Sequence, residues 1–277
     1  MKSFKLYLAD GKVMQSDKTL IMGILNPTPD SFSDGGELAD QSTLEQRIKS
    51  MIKAGADILD VGGESTRPGH QKVSSGEEIK RILPAIRTIR RISRSIPISV
   101  DTRKSAVAET AIKAGASFIN DVSALSDDNM ASTAKKAGCS IILMRNRSTG
   151  KDVISGCRRQ FEKILAETAV QGIEQDRILL DPGLGFGDLA GGNYRTLPGS
   201  DMNANLLLIL SIDRYSLGCP VVIGASRKRF IGEWSGVKQA NKRIAGSVAA
   251  AVMAAESGAA IVRVHDVAET ARAIRTI

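Results

Sequence analysis

The chain has 277 residues, 42% hydrophobic and 25% charged, the balance of a globular domain able to bury a full core. No stretch is apolar for long enough to cross a bilayer and no signal-peptide pattern appears, so the expected location is the cytoplasm. A formal charge of +8 raises nucleic acid as a partner, but six Phe, three Tyr and one Trp, not interleaved with basic residues, provide no stacking platform.

Residues 1–18 read as a short hairpin around Asp10 and Gly11, placed to plug the lower end of a barrel. Strands are then expected near 19–26, 57–61, 97–101, 116–121, 139–144, 177–181, 220–224 and 260–264. Between them, a helix over 42–54 opens on a capping box from Ser42 to Glu45, and a second opens on Ser75 and Glu78 and runs through Pro84, which predicts a kink and not a stop. Further helices are expected over 104–114, 128–137, 158–175, 203–216, 240–257 and 266–275. Arg87, Arg90, Arg91 and Arg94 fall on the second helix, where the expectation is a solvated basic face.

One unit repeats along this alternation: AGADILDV (54–61), AGASFIND (114–121), AGCSIILM (137–144) and SGAAIVRV (257–264), with LGCPVVIG as a looser copy. Each is a helix ending at Gly and continuing at once into a buried strand. Eight strands alternating with eight helices give a single (β/α)8 TIM barrel domain over 1–277, with the N-terminal β-hairpin as an addition. A doubly wound open sheet fits the alternation equally well, but it gathers its site at one switch point, whereas polar residues here end many different strands.

Those strand ends carry Asn26, Asp60, Asp101, Asn120, Asp181 and Arg263. Singly, a carboxylate such as Asp101 or Asp121 serves equally as a helix cap. Jointly, with Lys228, the assortment describes one mouth. The first strand leads into Pro27 and Pro29 and a Gly35-Gly36 hinge, a stiff stem for a lid. The second leads into Gly62, Gly63, Thr66, Arg67 and Gly69, a set suited to close approach by an anion. Residues 224–228 place Ser226 and Lys228 where a helix start makes an anion site. The pattern is neither a Walker A loop nor a Rossmann fingerprint. Cys139, Cys157 and Cys219 lack metal spacing, and with two histidines no zinc cluster is expected.

The motifs ILNPTPDSFSDGG (24–36), GADILDVGGESTRPG (55–69), the segment from ISVDTRK to IND (98–121), LLDPGLGFG (179–187), GASRKRFIG (224–232) and IVRVHDVAET (261–270) together resemble the dihydropteroate synthases over nearly the whole chain. The resemblance implies condensation of 6-hydroxymethyl-7,8-dihydropterin diphosphate with p-aminobenzoate, with Mg²⁺, in a homodimer of a folate-pathway transferase. It implies pterin contacts from Asp60, Asp101, Asn120, Asp181, Lys228 and Arg263, and catalytic roles for Asp101, Lys228 and Arg263. Asn26, Arg67, Arg263 and His265 would hold the diphosphate, with Asn26 also the metal contact. Phe32, Thr66, Pro68, Phe186 and Ser226 would form the aminobenzoate pocket.

Three places depart from the family pattern: Pro27 after the metal-binding Asn, LMRNRSTG with Arg145 and Arg147 where a His-Met segment is usual, and Asp188 in place of Lys. The segment after Asp188 is long and rich in Gly, Asn and Pro. Two rival readings remain on sequence alone. A methyltetrahydrofolate-dependent methyltransferase would need Asp101, Asn120 and Asp181 for the ring but not Lys228, Arg263 or the GGESTRPG loop. A catalytically inactive pterin-binding paralogue would keep the fold and lose turnover.

Overall fold

The computed structural model describes residues 3–27, 36–64, 73–145, 152–186 and 204–277, with residues 36–40 by backbone alone. Eight strands, β3 (Leu20–Leu25), β4 (Ile58–Gly62), β5 (Ile98–Asp101), β6 (Phe118–Asp121), β7 (Ile141–Met144), β8 (Ile178–Asp181), β9 (Val222–Ile223) and β10 (Ile261–Val264), pair in parallel in the order β8-β7-β6-β5-β4-β3-β10-β9. A parallel bridge between Leu180 and Val221, with the Leu180 N–H donating to the Pro220 carbonyl at 3.0 Å, joins the two ends. The sheet is therefore a closed barrel and not an open doubly wound sheet. Near-continuous burial along β3 to β8 results from apolar runs packed between a barrel interior and a helical coat.

The coat is α1 (Gly36–Ala54), α2 (Ser75–Ile92), α3 (Ser105–Lys113), α4 (Met130–Ala137), α5 (Val153–Val170), α6 (Ala204–Leu210), α7 (Ile212–Tyr215), α8 (Arg229–Ser235), α9 (Ile244–Glu256) and α10 (Val267–Ile274). The repeated glycines behave as their positions in the sequence require: Gly55, Gly115, Gly138, Gly218 and Gly258 all have positive φ, the turn from each helix into the next strand. On α2, Ile82, Ile86 and Ile89 are fully buried, and the helix continues through Pro84.

The hairpin is β1 (Phe4–Tyr7) paired antiparallel with β2 (Val13–Ser16), turning through Asp10 and Gly11, whose φ is +82°. It closes the N-terminal end of the barrel. Ala9 N–H donates to the Ser117 carbonyl at 2.8 Å, Ser140 N–H to the Tyr7 carbonyl at 2.8 Å, and Leu6 is fully buried against the core.

Several local expectations are corrected. α1 runs from Gly36, so Ser42 does not cap it, and Glu45 instead pairs with Lys49 and Arg91. α2 is capped by Ser74, which accepts from the Glu77 N–H, one residue earlier than predicted. Glu78, expected at the cap, is buried and accepts from Lys104 Nζ at 2.5 Å. α5 spans Val153–Val170 and not 158–175, because Asp152 caps it by accepting from the Ser155 N–H. The helix expected over 203–216 is two pieces broken at Ser211. Arg90 is half-buried and does not lie free on a solvated face: its guanidinium donates to the carbonyls of Gly115 and Ile96 and to Ser117 Oγ, at 2.9, 2.6 and 3.0 Å.

Candidate active site

The C-terminal ends of the barrel strands carry the chemistry. Asp60 faces inward near the end of β4, Asp101 ends β5 in register with Asn120 on β6, and Arg263 lies on β10 across the mouth. Arg263 ties them together: Nε donates to Asp60 Oδ2 at 2.6 Å and Nη2 to Asp101 Oδ2 at 2.7 Å. Asn120 Nδ2 donates to Asp60 at 3.3 Å. All three acceptor and amide residues are buried, and a buried carboxylate requires such a partner. Burial pushes the Asp101 carboxyl up to about 7; Arg263 pulls it down and the Asp60 charge adds to the rise. Burial alone would lower the Arg263 guanidinium, but Asp60 and Asp101 outweigh it and hold the group firmly cationic.

A second group faces this one. Asp181 ends β8 and its carboxylate Oδ1 accepts from the Gly183 N–H at 2.7 Å. Burial raises its pKa, opposed chiefly by the Lys228 ammonium, then the Gly183 N–H, Arg263 and Arg145. Lys228 Nζ donates to the Leu184 carbonyl and lies 4.3 Å from the centre of the Phe186 ring. Burial lowers the Lys228 ammonium to about 8, with Asp181 resisting.

Ser226 and His265 form a third group: His265 N–H donates to Ser226 Oγ at 3.1 Å, and Ser226 Oγ lies 3.0 Å from His265 Nδ1. The pair fixes the imidazole at the end of β10. The expected helix start at Ser226 is displaced, since α8 begins at Arg229. The intervening Arg227, at φ +58°, turns its guanidinium onto Asp266. Asn26 comes directly after β3, and its Oδ1 would lie 3.2 Å from a Cβ built on Gly62, with the Asp101 Cβ at 3.3 Å from the same point. A side chain at 62 would thus separate Asn26 from Asp101.

Asn26, Asp60, Asp101, Asn120, Asp181, Phe186, Lys228, Arg263, Ser226 and His265 therefore all lie about the C-terminal mouth. Phe32, Thr66, Arg67, Pro68, Arg147 and Asp188, with the proposed lid tip, fall outside the described residues. Asp121, unlike Asp101, does the local work expected of a turn carboxylate, accepting from the N–H groups of Ser123 and Leu125. An ionic cluster that sequence reasoning missed lies at the root of the β4 loop, where Glu64 accepts from Arg103 at 2.7 Å and from Lys104 at 2.5 Å. Its only signal in the sequence is the charge-rich DTRK after β5.

A barrel with hydrogen-bonding side chains and buried cations gathered at its C-terminal mouth is the architecture of an enzyme that takes a polar small-molecule substrate there. The chain belongs to the pterin binding enzyme family, whose profile matches residues 22–265. It is 40% identical over 264 residues to a dihydropteroate synthase of Clostridium beijerinckii, covering 94% of this chain and 93% of that one. A solved dihydropteroate synthase of Xanthomonas albilineans with 4-aminobenzoic acid superposes with a TM-score of 0.87 at 37% identity, covering 99% and 97% of the two chains. The same organism's enzyme in complex with 7,8-dihydropteroate gives 0.84 at 35% identity, covering 98% and 97%. The activity is dihydropteroate synthesis, a transferase reaction of folate biosynthesis that joins a pterin diphosphate to p-aminobenzoate with release of diphosphate.

Proposed function

We propose a division of labour among the residues of the mouth in that reaction. The amino-pyrimidinone edge of the pterin offers two neighbouring N–H donors, and the Asp181 carboxylate accepts both. Asn120 and Asp101 read the remaining ring nitrogens, Lys228 donates to the ring oxygen and nitrogen, and Asp60 stands behind as the anchor of Arg263 and Asn120. The ion pairs holding Arg263 leave its other N–H donors for the diphosphate, which His265, Asn26 and Arg67 also contact. Phe186, Ser226, Phe32, Thr66 and Pro68 enclose the aminobenzoate.

In this scheme the bond from the exocyclic methylene to oxygen breaks first, the diphosphate leaves with the electron pair, and the pterin stabilises the resulting cation. The aminobenzoate nitrogen then attacks and loses its proton. The protein contributes position and charge, and it needs no nucleophile. The donor set at Asn26 suits Mg²⁺ carried in on the diphosphate: one amide oxygen beside the small Gly62, and among the described residues no cluster of three ligating side chains that would make a dedicated metal cage. When bound there, Mg²⁺ would neutralise charge on the departing group. A homodimer in the cytoplasm is the setting that the resemblance leads to.

The observation that carries this reading is the link of Asp60 and Asp101 through Arg263, with Lys228 close enough to feel the charges of Arg263, Asp101 and Asp181. Calorimetry on two variants tests it. Asp181→Ala is expected to abolish binding of bare pterin, whereas Arg263→Ala is expected to lower turnover of the diphosphate more than it weakens bare pterin. Equal losses for both ligands in Arg263→Ala would rule out the leaving-group role.

A further inference from the structure

Arg145, directly after β7, is almost entirely buried, at 2% exposure, a costly placement for a guanidinium unless its geometry is used. It touches three consecutive residues of the turn after β8. Its backbone N–H donates to the Asp181 carbonyl at 3.0 Å, and its Nε donates to the Pro182 carbonyl at 2.8 Å. Its own carbonyl oxygen packs so closely on Gly183 that a Cβ there would lie 2.3 Å away, while Gly183 sits at φ +64°. The N–H of that same Gly183 is the donor that orients the Asp181 carboxylate, at 2.7 Å.

We propose that Arg145 is a positioning residue for pterin recognition: it locks the Asp181-Pro182-Gly183 turn from behind and thereby sets the direction in which the Asp181 carboxylate faces the mouth. The inference rests on the assignment of Asp181 as the pterin carboxylate. It concerns a position where the chain departs from the family pattern. A second brace acts further along the same turn, where Asn205 Oδ1 accepts from the Gly185 N–H at 3.0 Å, so the turn is held from β7 and from α6. The side chain works through charge as well as shape. The groups whose charge acts on Asp181 are Lys228 from the loop before α8, Arg263 from β10 and Arg145 itself. Cys157 from α5 and Tyr215 from α7 feel both Asp181 and Arg145 from the buried side, and burial holds the Cys157 thiol up to about 12, so it stays neutral.

The test compares Arg145→Met and Arg145→Lys with the parent enzyme, titrating 6-hydroxymethylpterin by calorimetry across pH and measuring KM for p-aminobenzoate. In Arg145→Met the pterin Kd is expected to rise about tenfold, the scale of one charge-assisted hydrogen bond. Its acid limb moves to higher pH, because a cation that favours the Asp181 carboxylate is gone, and the aminobenzoate KM stays unchanged. Arg145→Lys keeps the charge but not the fork, so it restores the acid limb while recovering affinity only in part. A Met variant with the parental Kd and acid limb, or one that loses both substrates equally, would overturn the proposal. If the Met variant does not fold, the Lys variant decides: weakened pterin binding at constant aminobenzoate KM supports the role, and an unchanged Kd overturns it. Asp181→Ala serves as the reference, since retained pterin binding there would indict the assignment of Asp181, not the role of Arg145.

Discussion

Lys228 lies within the field of Asp101, and burial shifts both groups toward neutrality, lowering the lysine to about 8 and raising the aspartate to about 7. The sign of each effect is fixed by which form works. In the proposed assignment, protonation of Asp101 below about 7 would remove an acceptor from Arg263 and from the pterin, and deprotonation of Lys228 above about 8 would remove a donor and an attraction for phosphate. The expected kcat/KM for the pterin diphosphate therefore peaks in a narrow window between those limbs. In Lys228→Arg the alkaline limb should vanish, because a guanidinium does not deprotonate in the accessible range, while affinity falls because its planar fork does not fit an ammonium's place. A profile that still declines above pH about 8 in that variant would assign the limb to another group.

At the level of elements, α2 shows how far local pattern carries and where it stops. Its buried stripe of isoleucines is legible because a period near four residues can only face one side. Arg90 is not, because nothing local distinguishes a basic residue on a wet face from one that crosses to the next strand; beyond its own helix end it reaches acceptors on residues 96, 115 and 117. Arg90→Met is expected to cost about 2–4 kcal/mol through the orphaned carbonyls. Measured as a shift in the urea midpoint, this loss should come with an unchanged pterin Kd, since the contacts join α2 to the roots of β5 and β6 and not to their tips. The same contrast governs the site. Asp60, Asp101, Asn120, Asp181 and Arg263 can be picked out because each is a polar residue at the point where an apolar run ends. Arg145 meets the same criterion, yet its inward burial and its grip on the β8 turn depend on a neighbour 37 residues away. Glu78 is misassigned for a related reason: a cap and a buried partner for Lys104 look alike until the third dimension is given.

Over the whole molecule, the two ends of the barrel separate stability from chemistry. Leu6 in the hairpin is fully buried at the end opposite the mouth. Leu6→Ala is expected to destabilise the fold by about 2–5 kcal/mol, while kcat/KM measured well below the lowered melting point stays near the parental value. The barrel wall itself is uneven. β9 has two residues, and it meets β8 through the bridge of Leu180 to Val221. Asp181 stands on one side of that thin course and Lys228 comes after the strand on the other. A ligand gripped by both residues is a rivet across a seam. Hydrogen exchange at Val221, Val222 and Ile223 should then slow markedly when pterin binds, far more than at β4 or β5, so that occupancy of the pocket reports itself in the tightness of the wall.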